Sequence, residues 1–365
     1  MNKKLNILIC PLGWGLGHAG RMIPVASRLS AMGHHIYFGA EERHFAFLKS
    51  EVPGATLIKF PGFKPGYSRF LPAYFVLLLK IPLLIYHTIS EHFKVKRIIR
   101  DHSIDILISD NRFGLWNKDI KTVYVTHMPV IPFPGAFRFL ECIGIKLHTA
   151  VIRRYSMCFI PDLPGDVNLT GRLTHSTTLP DNTRFIGVLS RFIGSECQNM
   201  ESNFSSPHNC VIISGPPPQS EILRKKLIKV LKGRQSITVF LGGKPDGSAE
   251  MVRSENILFY NHLPSDAMKK VIGQSEDIIA RAGYSTIMDL VCLKKSALLI
   301  PTPGQTEQEY LSRFLSGKGW FSSISQKDLT NELKFSGSRP VKWSDDLIVQ
   351  SSLLLERALN EMLED

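Results

Sequence analysis

Short apolar runs alternate with longer amphipathic stretches along the chain, and this alternation predicts β-strands separated by α-helices. In the first half, apolar runs occupy residues 5–10, 36–39, 104–109 and 122–125. A segment rich in Pro, Gly, Ser, Thr and Asn follows at 163–209, and later apolar runs occupy 211–214, 237–241, 256–260, 278–280 and 297–300. The two series predict an α/β fold with domains at residues 1–200 and 201–342, and an amphipathic pattern predicts a last helix within 343–365.

The composition agrees with this pattern and narrows the choice of partners. The chain has 365 residues, of which 44% are apolar, and nothing in its composition indicates disorder. A net charge of +12 favours anionic partners such as a nucleotide, a phosphate or an acidic membrane surface. We expect no nucleic acid partner, because the Lys and Arg residues are scattered and no zinc-finger, basic-zipper or RNA-binding signature is present.

Neither the N-terminus nor the cysteines indicate export. The first four residues run directly into an apolar strand that is too short for a signal peptide, so we expect a cytoplasmic protein. The six cysteines are dispersed without a C-x-x-C pair, which predicts neither a disulfide framework nor a zinc site.

The stretch 277–308 carries the clearest candidate site. Its pattern predicts a strand, a tight turn, a helix and a second strand. We expect Gly283 to allow a positive φ in the turn and Ser285 or Thr286 to cap the helix, whose first amides would then face an anionic ligand. Asp289 lies one turn further along, within reach of the ribose of a nucleotide whose phosphates rest on the helix start. Alternatively, Asp289 only offsets the helix dipole.

Polar side chains follow the second strand of this stretch. Glu307, Gln308 and Glu309 could form hydrogen bonds with a neutral group rich in hydroxyls, such as a sugar. No Asp-x-Asp arrangement is present to hold a divalent metal against a sugar diphosphate, so we expect no metal in the reaction.

The first glycine-rich turn allows two interpretations. Gly15, Gly17 and Gly20 form a G-x-G-x-x-G pattern after a strand, with Glu41 near the end of the next strand, and this is the fingerprint of an NAD- or FAD-dependent oxidoreductase. His18 opposes that interpretation, because its ring would crowd the pyrophosphate.

His18 and Arg21 are instead candidates for chemistry on an acceptor. A histidine could take a proton from an attacking hydroxyl or contact a phosphate, and Arg21 could bind the same phosphate through two donors. The alternative is that His18 caps the helix, which the pattern places at 21–32.

Further polar residues follow the strands predicted at 104–109 and 122–125. Asp110 and His127 are candidates for acceptor contact or for orienting His18, and Arg112 could hold a phosphate. All three should lie in the same cleft, because ligands of α/β sheets bind at the carboxyl ends of the strands. Alternatively, they satisfy backbone groups of the loops.

These motifs resemble those of GT-B glycosyltransferases, most closely the group that contains the peptidoglycan N-acetylglucosaminyltransferase. One matching motif is the loop Gly-x-Gly-His-x-x-Arg at residues 15–21, and the other is the pattern Arg-x-Gly-x-x-Thr-x-x-Glu followed by an apolar strand, Pro and a Gln-rich segment. The second motif is filled by Arg281, Gly283, Thr286, Asp289, Pro301 and Gln308. Two positions depart from the family's motif. Asp289 stands where the family usually has Glu, and Glu309 stands where a second Gln is common.

The resemblance implies a GT-B fold, with two Rossmann-like domains facing across a cleft and a terminal helix that crosses back to the first. It implies an inverting transferase that needs no cofactor, takes a sugar from UDP and uses His18 as the base, with a sugar or a lipid-linked molecule as acceptor. The implied acceptor or phosphate residues are Gly15, Gly17, Arg21, Asp110, Arg112 and His127. The implied donor residues are Gly215 at the diphosphate, His262 and Leu263 at the uracil, and Arg281, Gly283, Ser285, Thr286, Asp289, Gln305, Glu307 and Gln308 around the rest of the nucleotide sugar.

Residues 70–100 form the most apolar region and continue into a basic one. Pro72, Lys80 and Pro82 interrupt the apolar run, so it is a poor membrane span. An apolar patch beside basic residues is typical of a protein that lies on an anionic membrane, and the resembled enzyme has such a patch at this place. A core helix is the alternative.

Two other functions remain open from the sequence. One is the dinucleotide-dependent oxidoreductase, and the other is a relative that binds a nucleotide sugar without turning it over. A hydrolase of nucleotide sugars is a variant of the favoured function.

Overall fold

The structure is a computed structural model and describes residues 3–64, 66, 73–193, 208–243, 251–330, 333 and 344–364. Within these residues, strands form two parallel α/β sheets, and one antiparallel strand lies at an edge of the second. The predicted boundary between residues 200 and 201, and the predicted end of the second domain at 342, fall outside the described residues.

The first sheet has the order β3-β2-β1-β4-β5-β6-β7. Its strands are β1 (Asn6–Cys10), β2 (His35–Ala40), β3 (Thr56–Lys59), β4 (Ile106–Asp110), β5 (Lys121–Val125), β6 (Met157–Ile160) and β7 (Thr183–Phe185). The helices in this part of the chain are α1 (Leu16–Ala31), α2 (Phe45–Glu51), α3 (Ala73–Leu79), α4 (Ile81–Asp101), α5 (Leu140–Ile152) and α6 (Arg172–His175).

The second sheet has the order β10-β11-β9-β8-β12-β13-β14. Its strands are β8 (His208–Ile212), β9 (Thr238–Leu241), β10 (Met251–Ser254), β11 (Ile257–Tyr260), β12 (Ser275–Ala280), β13 (Leu298–Leu299) and β14 (Ser322–Ser323). Its helices are α7 (Gln219–Leu231), α8 (Ser265–Gln274), α9 (Tyr284–Cys292) and α10 (Thr306–Gly317), and α11 (Asp345–Leu363) follows at the C-terminal end.

The apolar runs form strands because they are covered on both faces. Every residue of β4, β6 and β9 is buried, as expected for inner strands of a parallel sheet with helices on both sides. Helix α1 turns a stripe of Ala19, Met22, Ala26 and Leu29 inward at helical spacing, and all four side chains have no exposed surface. The predicted two-domain α/β architecture is therefore confirmed.

Helix α1 begins earlier than the sequence predicts. The predicted helix starts at residue 21, but α1 starts at Leu16, so His18 lies in its first turn. Gly17 lies where this first turn meets α9. A Cβ atom at Gly17 would lie 3.0 Å from the Ser285 Oγ, which is closer than an ordinary van der Waals contact, so glycine lets α1 approach α9 without displacing Ser285.

Helix α11 packs against the first domain although it follows the second in the chain. Arg184, on β7, pairs with Glu361 at 2.6 Å. The backbone amide of Val188 donates to Ser351 Oγ at 3.0 Å. The last helix therefore contributes to the contact between the two domains.

Candidate active site

A cavity of about 580 Å³ lies between the two sheets, at the carboxyl ends of their strands. Both domains line it, and most of the predicted site residues are there. The predicted residues in its lining are Gly15, Gly17, His18, Arg21, His127, Gly215, His262, Leu263, Gly283, Ser285, Thr286, Asp289, Gln305, Glu307 and Gln308.

His18 is held by a buried carboxylate. Its Nδ1 lies 2.9 Å from Asp110 Oδ2, and Asp110 has no exposed surface. Burial alone would raise the pKa of Asp110, but the charges and hydrogen bonds of Arg21 and His18 lower it to about 2. Because the ionised carboxylate can only accept, His18 donates from Nδ1 and carries its lone pair on Nε2.

Arg21 is the second partner of Asp110. Its Nε donates to Asp110 Oδ2 at 3.1 Å, and one terminal nitrogen pairs with Oδ1. The other terminal nitrogen lies 2.9 Å from His127 Nδ1. With 2% of its surface exposed, Arg21 fixes Asp110 and His127, which differs from its predicted role as a bidentate phosphate ligand.

His127 connects the two domains. Its Nε2 lies 2.8 Å from Glu307 Oε1, and its ring stacks on Tyr284 with centroids 4.1 Å apart and an angle of 2°. Burial lowers the pKa of His127, and the neighbouring Glu307 opposes that effect. His127 comes from the loop after β5, whereas Tyr284 and Glu307 begin α9 and α10.

The start of α9 forms the opposite wall of the cavity. Gly283 precedes the helix with φ −76°, so the predicted positive φ is wrong. No side-chain cap forms there among the described residues, so the predicted cap by Ser285 or Thr286 is also wrong. Ser285 Oγ instead donates to the backbone oxygen of Gly17 at 3.1 Å, across the domain boundary. Two other glycines of this wall have a positive φ, Gly215 at 93° and Gly243 at 61°.

Asp289 faces the cavity from the second turn of α9. Its Oδ1 accepts from Ser190 Oγ at 2.7 Å, and its Oδ2 lies 3.9 Å from Arg191 Nε. Burial raises the pKa of Asp289, whereas Arg191 and Ser190 lower it. Sequence reasoning missed Ser190 and Arg191. Their only signal is their position directly after the apolar piece 185–189, where a chain leaving a buried strand can reach a site.

His262 and Leu263 line the cavity next to residues of the first domain. The His262 ring lies 6.0 Å from that of Phe47, edge to face. Arg191 stacks over Phe47 at 5.5 Å, and its Nη2 lies 2.8 Å from the sulfur of Met268. Burial, with the charge of Arg191, lowers the pKa of His262. Phe47 and Arg191 of the first domain therefore pack beside His262 and Leu263, the residues predicted to contact the uracil.

The polar residues after β13 divide between the cavity and the loop. Gln308 Oε1 accepts from the backbone amide of Thr302 at 2.9 Å, and Glu309 Oε1 from that of Gly304 at 2.8 Å. Gln305, Glu307 and Gln308 line the cavity. The carboxylate of Glu309 instead stabilises the loop between β13 and α10.

Two predicted ligands of phosphate or nucleotide are buried elsewhere. Arg112 pairs with Glu91 at 3.2 Å and donates to the backbone oxygen of Phe60 at 3.0 Å. Arg281 donates to the backbone oxygens of Pro301 and Gln219, at 3.1 and 2.8 Å. Neither arginine is among the residues that line the cavity. Backbone carbonyls and Glu91 accept from most of their donors, whereas Arg112 Nη2 and Arg281 Nε have no hydrogen-bond partner among the described residues. A contact of either arginine with a ligand stays a prediction.

Known proteins resemble this chain in sequence and in fold. Residues 222–336 match the model of the glycosyltransferase family 28 C-terminal domain. An uncharacterized glycosyltransferase of Methanosarcina mazei is 24% identical over 340 residues, which cover 88% of this chain and 86% of that protein. The chain is a glycosyltransferase of the GT-B fold. The oxidoreductase predicted from Gly15, Gly17 and Gly20 is therefore set aside.

Two further relatives carry informative names. The UDP-N-acetylglucosamine–N-acetylmuramyl-(pentapeptide) pyrophosphoryl-undecaprenol N-acetylglucosamine transferase of a Sulfurihydrogenibium species is 22% identical over 151 residues, covering 33% of this chain and 43% of that protein. Spinosyn rhamnosyltransferase SpnG, solved with thymidine diphosphate, matches with a TM-score of 0.60 at 15% identity, covering 99% of this chain and all of that one. The structural match supports the fold.

Proposed function

We propose that this glycosyltransferase moves a sugar from a nucleotide sugar, with UDP as the favoured nucleotide, to an acceptor hydroxyl. The observation that carries the proposal is the shared cavity: His18 lines it from the first domain and the start of α9 lines it from the second. A single displacement needs this arrangement, with a base on one side of the sugar and a seat for the leaving diphosphate on the other.

In this proposal the donor extends along the wall formed by the second domain. Its diphosphate lies against the amides of Ser285 and Thr286, where the positive end of the α9 dipole favours an anion, and Gly215 lies opposite. The names of the two further relatives support a nucleoside diphosphate, since one names a UDP-sugar and the other thymidine diphosphate.

The remaining parts of the donor would occupy the two ends of the same wall. Asp289 accepts a hydrogen bond from the ribose, and the nucleobase lies between His262 and Leu263. The residues proposed at the sugar are Gln305, Glu307 and Gln308, which line the cavity near the start of α10.

The chemical step would proceed as follows. The acceptor hydroxyl gives its proton to His18 Nε2 while its oxygen forms a bond to the anomeric carbon. The bond from that carbon to the diphosphate breaks, and the electron pair leaves with the diphosphate. Asp110 stabilises the imidazolium, and the α9 amides stabilise the developing negative charge. Attack opposite the leaving group inverts the anomeric carbon.

No metal enters this proposed step. Among the described residues, no group of three or more His, Cys, Asp or Glu side chains is arranged to hold a metal ion. The α9 amides would neutralise the charge that a metal neutralises in other glycosyl transfers.

We further propose that the acceptor is lipid-linked and that α4 docks on an anionic membrane at the cytoplasmic face. The side chains of Ile85, Ile89 and Phe93 are 54, 54 and 65% exposed at helical spacing on α4. Exposed Lys94 and Arg97 follow them on the same helix. Across the described ranges, no helix is long and apolar enough to cross a bilayer. Residues 70–72 of the predicted patch lie outside the described residues.

A thermal-shift panel of UDP, TDP, GDP, NAD and FAD tests the proposed donor. At 100 times its Kd, a ligand that binds only the folded state stabilises it by about 2.7 kcal/mol, which is a melting shift of a few degrees. We expect UDP to give this shift and Asp289→Ala to lose most of it. Asp328→Ala, an exposed carboxylate of the same domain, serves as the control. Stabilisation by NAD or FAD without UDP would refute the proposal.

A further inference from the structure

Glu307 is supplied by the second domain but reaches into the group of residues that holds His18. Its side chain is 18% exposed, and His127, which it contacts at 2.8 Å, is 5% exposed. Burial would raise the pKa of Glu307, but the charge and hydrogen bond of His127 lower it, so the side chain is a carboxylate that can only accept.

The positions of the protons along this group follow from its members. An arginine can only donate, so Nδ1 of His127 accepts from Arg21. The neutral His127 ring must then carry its proton on Nε2, which donates to Glu307. Arg21 also donates to Asp110, and Asp110 accepts from His18. An unbroken series of hydrogen bonds therefore runs through Glu307, His127, Arg21, Asp110 and His18. At each bond only one of the two partners can be the donor.

Each link in this series limits the next. His127 and Asp110 together occupy three nitrogens of the buried Arg21 guanidinium, which fixes its plane. The orientation of the guanidinium sets the orientation of the Asp110 carboxylate. The carboxylate in turn keeps the proton of the His18 ring on Nδ1. Without Glu307, the His127 ring could turn over and offer an N–H to Arg21, which would repel the guanidinium.

Contacts between the two domains hold this series together. Tyr284 stacks on His127 and donates to the backbone oxygen of Pro161 in the first domain. Further along the boundary, the backbone amide of Arg172 donates to Tyr310 Oη at 2.7 Å. Glu307 comes from the second domain, as these two tyrosines do, so its contact with His127 depends on the second domain lying against the first.

We propose that Glu307 is a positioning residue for the His18 base, and that the base is fully ordered only when the second domain closes on the first. The inference rests on the proposed function, in which His18 takes the acceptor proton. For Glu307, it replaces the contact with the donor sugar by a role in positioning the base.

Nitrogen-15 NMR of the histidine side chains tests this role without any ligand. The variants are Glu307→Ala, Glu307→Gln and, as a matched control on the same helix, Glu309→Gln. Variants of His18 and His127 assign their signals. We expect the wild-type protein and the control to show His127 protonated on Nε2 and His18 on Nδ1.

In Glu307→Ala we expect His127 to lose its single tautomer and the His18 Nδ1 proton to exchange at least about tenfold faster with water, because both hydrogen bonds open more often. Glu307→Gln keeps an accepting oxygen and should stay close to wild type. Unchanged His127 and His18 signals in Glu307→Ala would overturn the proposal.

Turnover separates positioning from sugar binding. With UDP-N-acetylglucosamine as the probe donor and UDP release as the measurement, we expect Glu307→Ala to lower kcat about tenfold while the donor KM changes less than about twofold. Glu307→Gln should recover most of kcat. A raised KM with unchanged kcat would refute positioning in favour of sugar contact. If the wild-type protein releases no UDP from any UDP-sugar, the proposed donor fails, and the NMR result alone decides the role of Glu307.

Discussion

The two walls of the cavity are built on different physical principles. On the first domain, His18, Arg21 and Asp110 are charged or titratable side chains that are buried and paired with one another. On the second domain, the wall is made mostly of the starts of α9 and α10 and the turn at Gly215. In the proposed reaction, the first wall holds the base and the second offers backbone amides to the leaving diphosphate. The base and the seat of the leaving group can therefore be tested separately.

The largest effect is expected at the base. Because a positioned general base contributes about 10²- to 10⁴-fold, we expect His18→Gln to lower kcat for UDP release by a factor in that range. The UDP-induced melting shift should stay at its wild-type value, since the second wall is intact. His102→Gln, at the far end of α4, is the control. Loss of the UDP shift in His18→Gln would show that the two walls are not separable.

The next effect concerns the stability of the first wall. Asp110→Asn leaves the charge of Arg21 buried without its carboxylate, which should lower the free energy of unfolding by about 3–5 kcal/mol. Asp105→Asn, just before β4, removes a partly exposed partner of Lys3 and should cost at most about 1 kcal/mol. Chemical denaturation at pH 7 measures both, and equal effects would contradict the pairing described for Asp110.

The same carboxylate predicts a dependence of stability on pH. Folding lowers the pKa of Asp110 to about 2. Its contribution is therefore complete above the unfolded-state pKa of about 3.9 and is lost as the pH falls from there toward 2. Denaturation between pH 5 and 2 should show a shallower loss of stability in Asp110→Asn than in the wild-type protein. Parallel curves would exclude this carboxylate as the source.

A smaller effect tests the structural role of Arg281. Arg281→Met removes the donors to the carbonyls of Pro301 and Gln219, and hydrogen bonds to charged groups contribute about 1.5–3 kcal/mol each. Part of this contribution is offset, because burial of the charged guanidinium opposes folding and lowers the pKa of Arg281 to about 10. We expect the free energy of unfolding to fall by about 2–3 kcal/mol while UDP still raises the melting temperature. Arg313→Met, exposed on α10, is the control. Normal stability with loss of UDP binding would restore Arg281 as a ligand.

The smallest effect concerns binding to the membrane, which does not depend on either wall of the cavity. Ile85→Glu on α4 should weaken binding to vesicles rich in phosphatidylglycerol by about tenfold, because the apolar face loses buried area and gains a negative charge. Val349→Glu makes the same kind of change at a similarly exposed position on α11 and should have no effect. Sedimentation with vesicles measures both. Equal binding by the two variants would refute docking through α4.

The two walls differ in what the sequence could predict about them. The α9 stretch could be found because strand, turn, helix and polar tail are adjacent in the chain, although the φ of Gly283 and the helix cap were predicted wrongly. The first wall depends on pairs such as His18 with Asp110 and His127 with Glu307, which are 92 and 180 residues apart. Local pattern placed each of these residues at the end of a strand or in a turn and offered Asp110 and His127 as partners of His18, but it did not choose between them or pair His127 with Glu307.

Two features of the structure depend on contacts that local pattern does not show. Arg112 and Arg281 follow strands, as ligand-binding residues do, but carbonyls of neighbouring loops accept from several of their donors. The start of α1 was placed too late because its glycines suggest a loop. Contact with α9 stabilises the early turn, and that contact comes from a distant part of the chain.

A crystal structure with UDP bound is the most direct test of the claim that one cavity joins a base from the first domain to a donor seat in the second. We expect the diphosphate at the amides of Ser285 and Thr286, the ribose at Asp289, and His18 Nε2 facing the space beyond the second phosphate. UDP bound outside this cavity, or inside it with its diphosphate away from α9, would refute the claim.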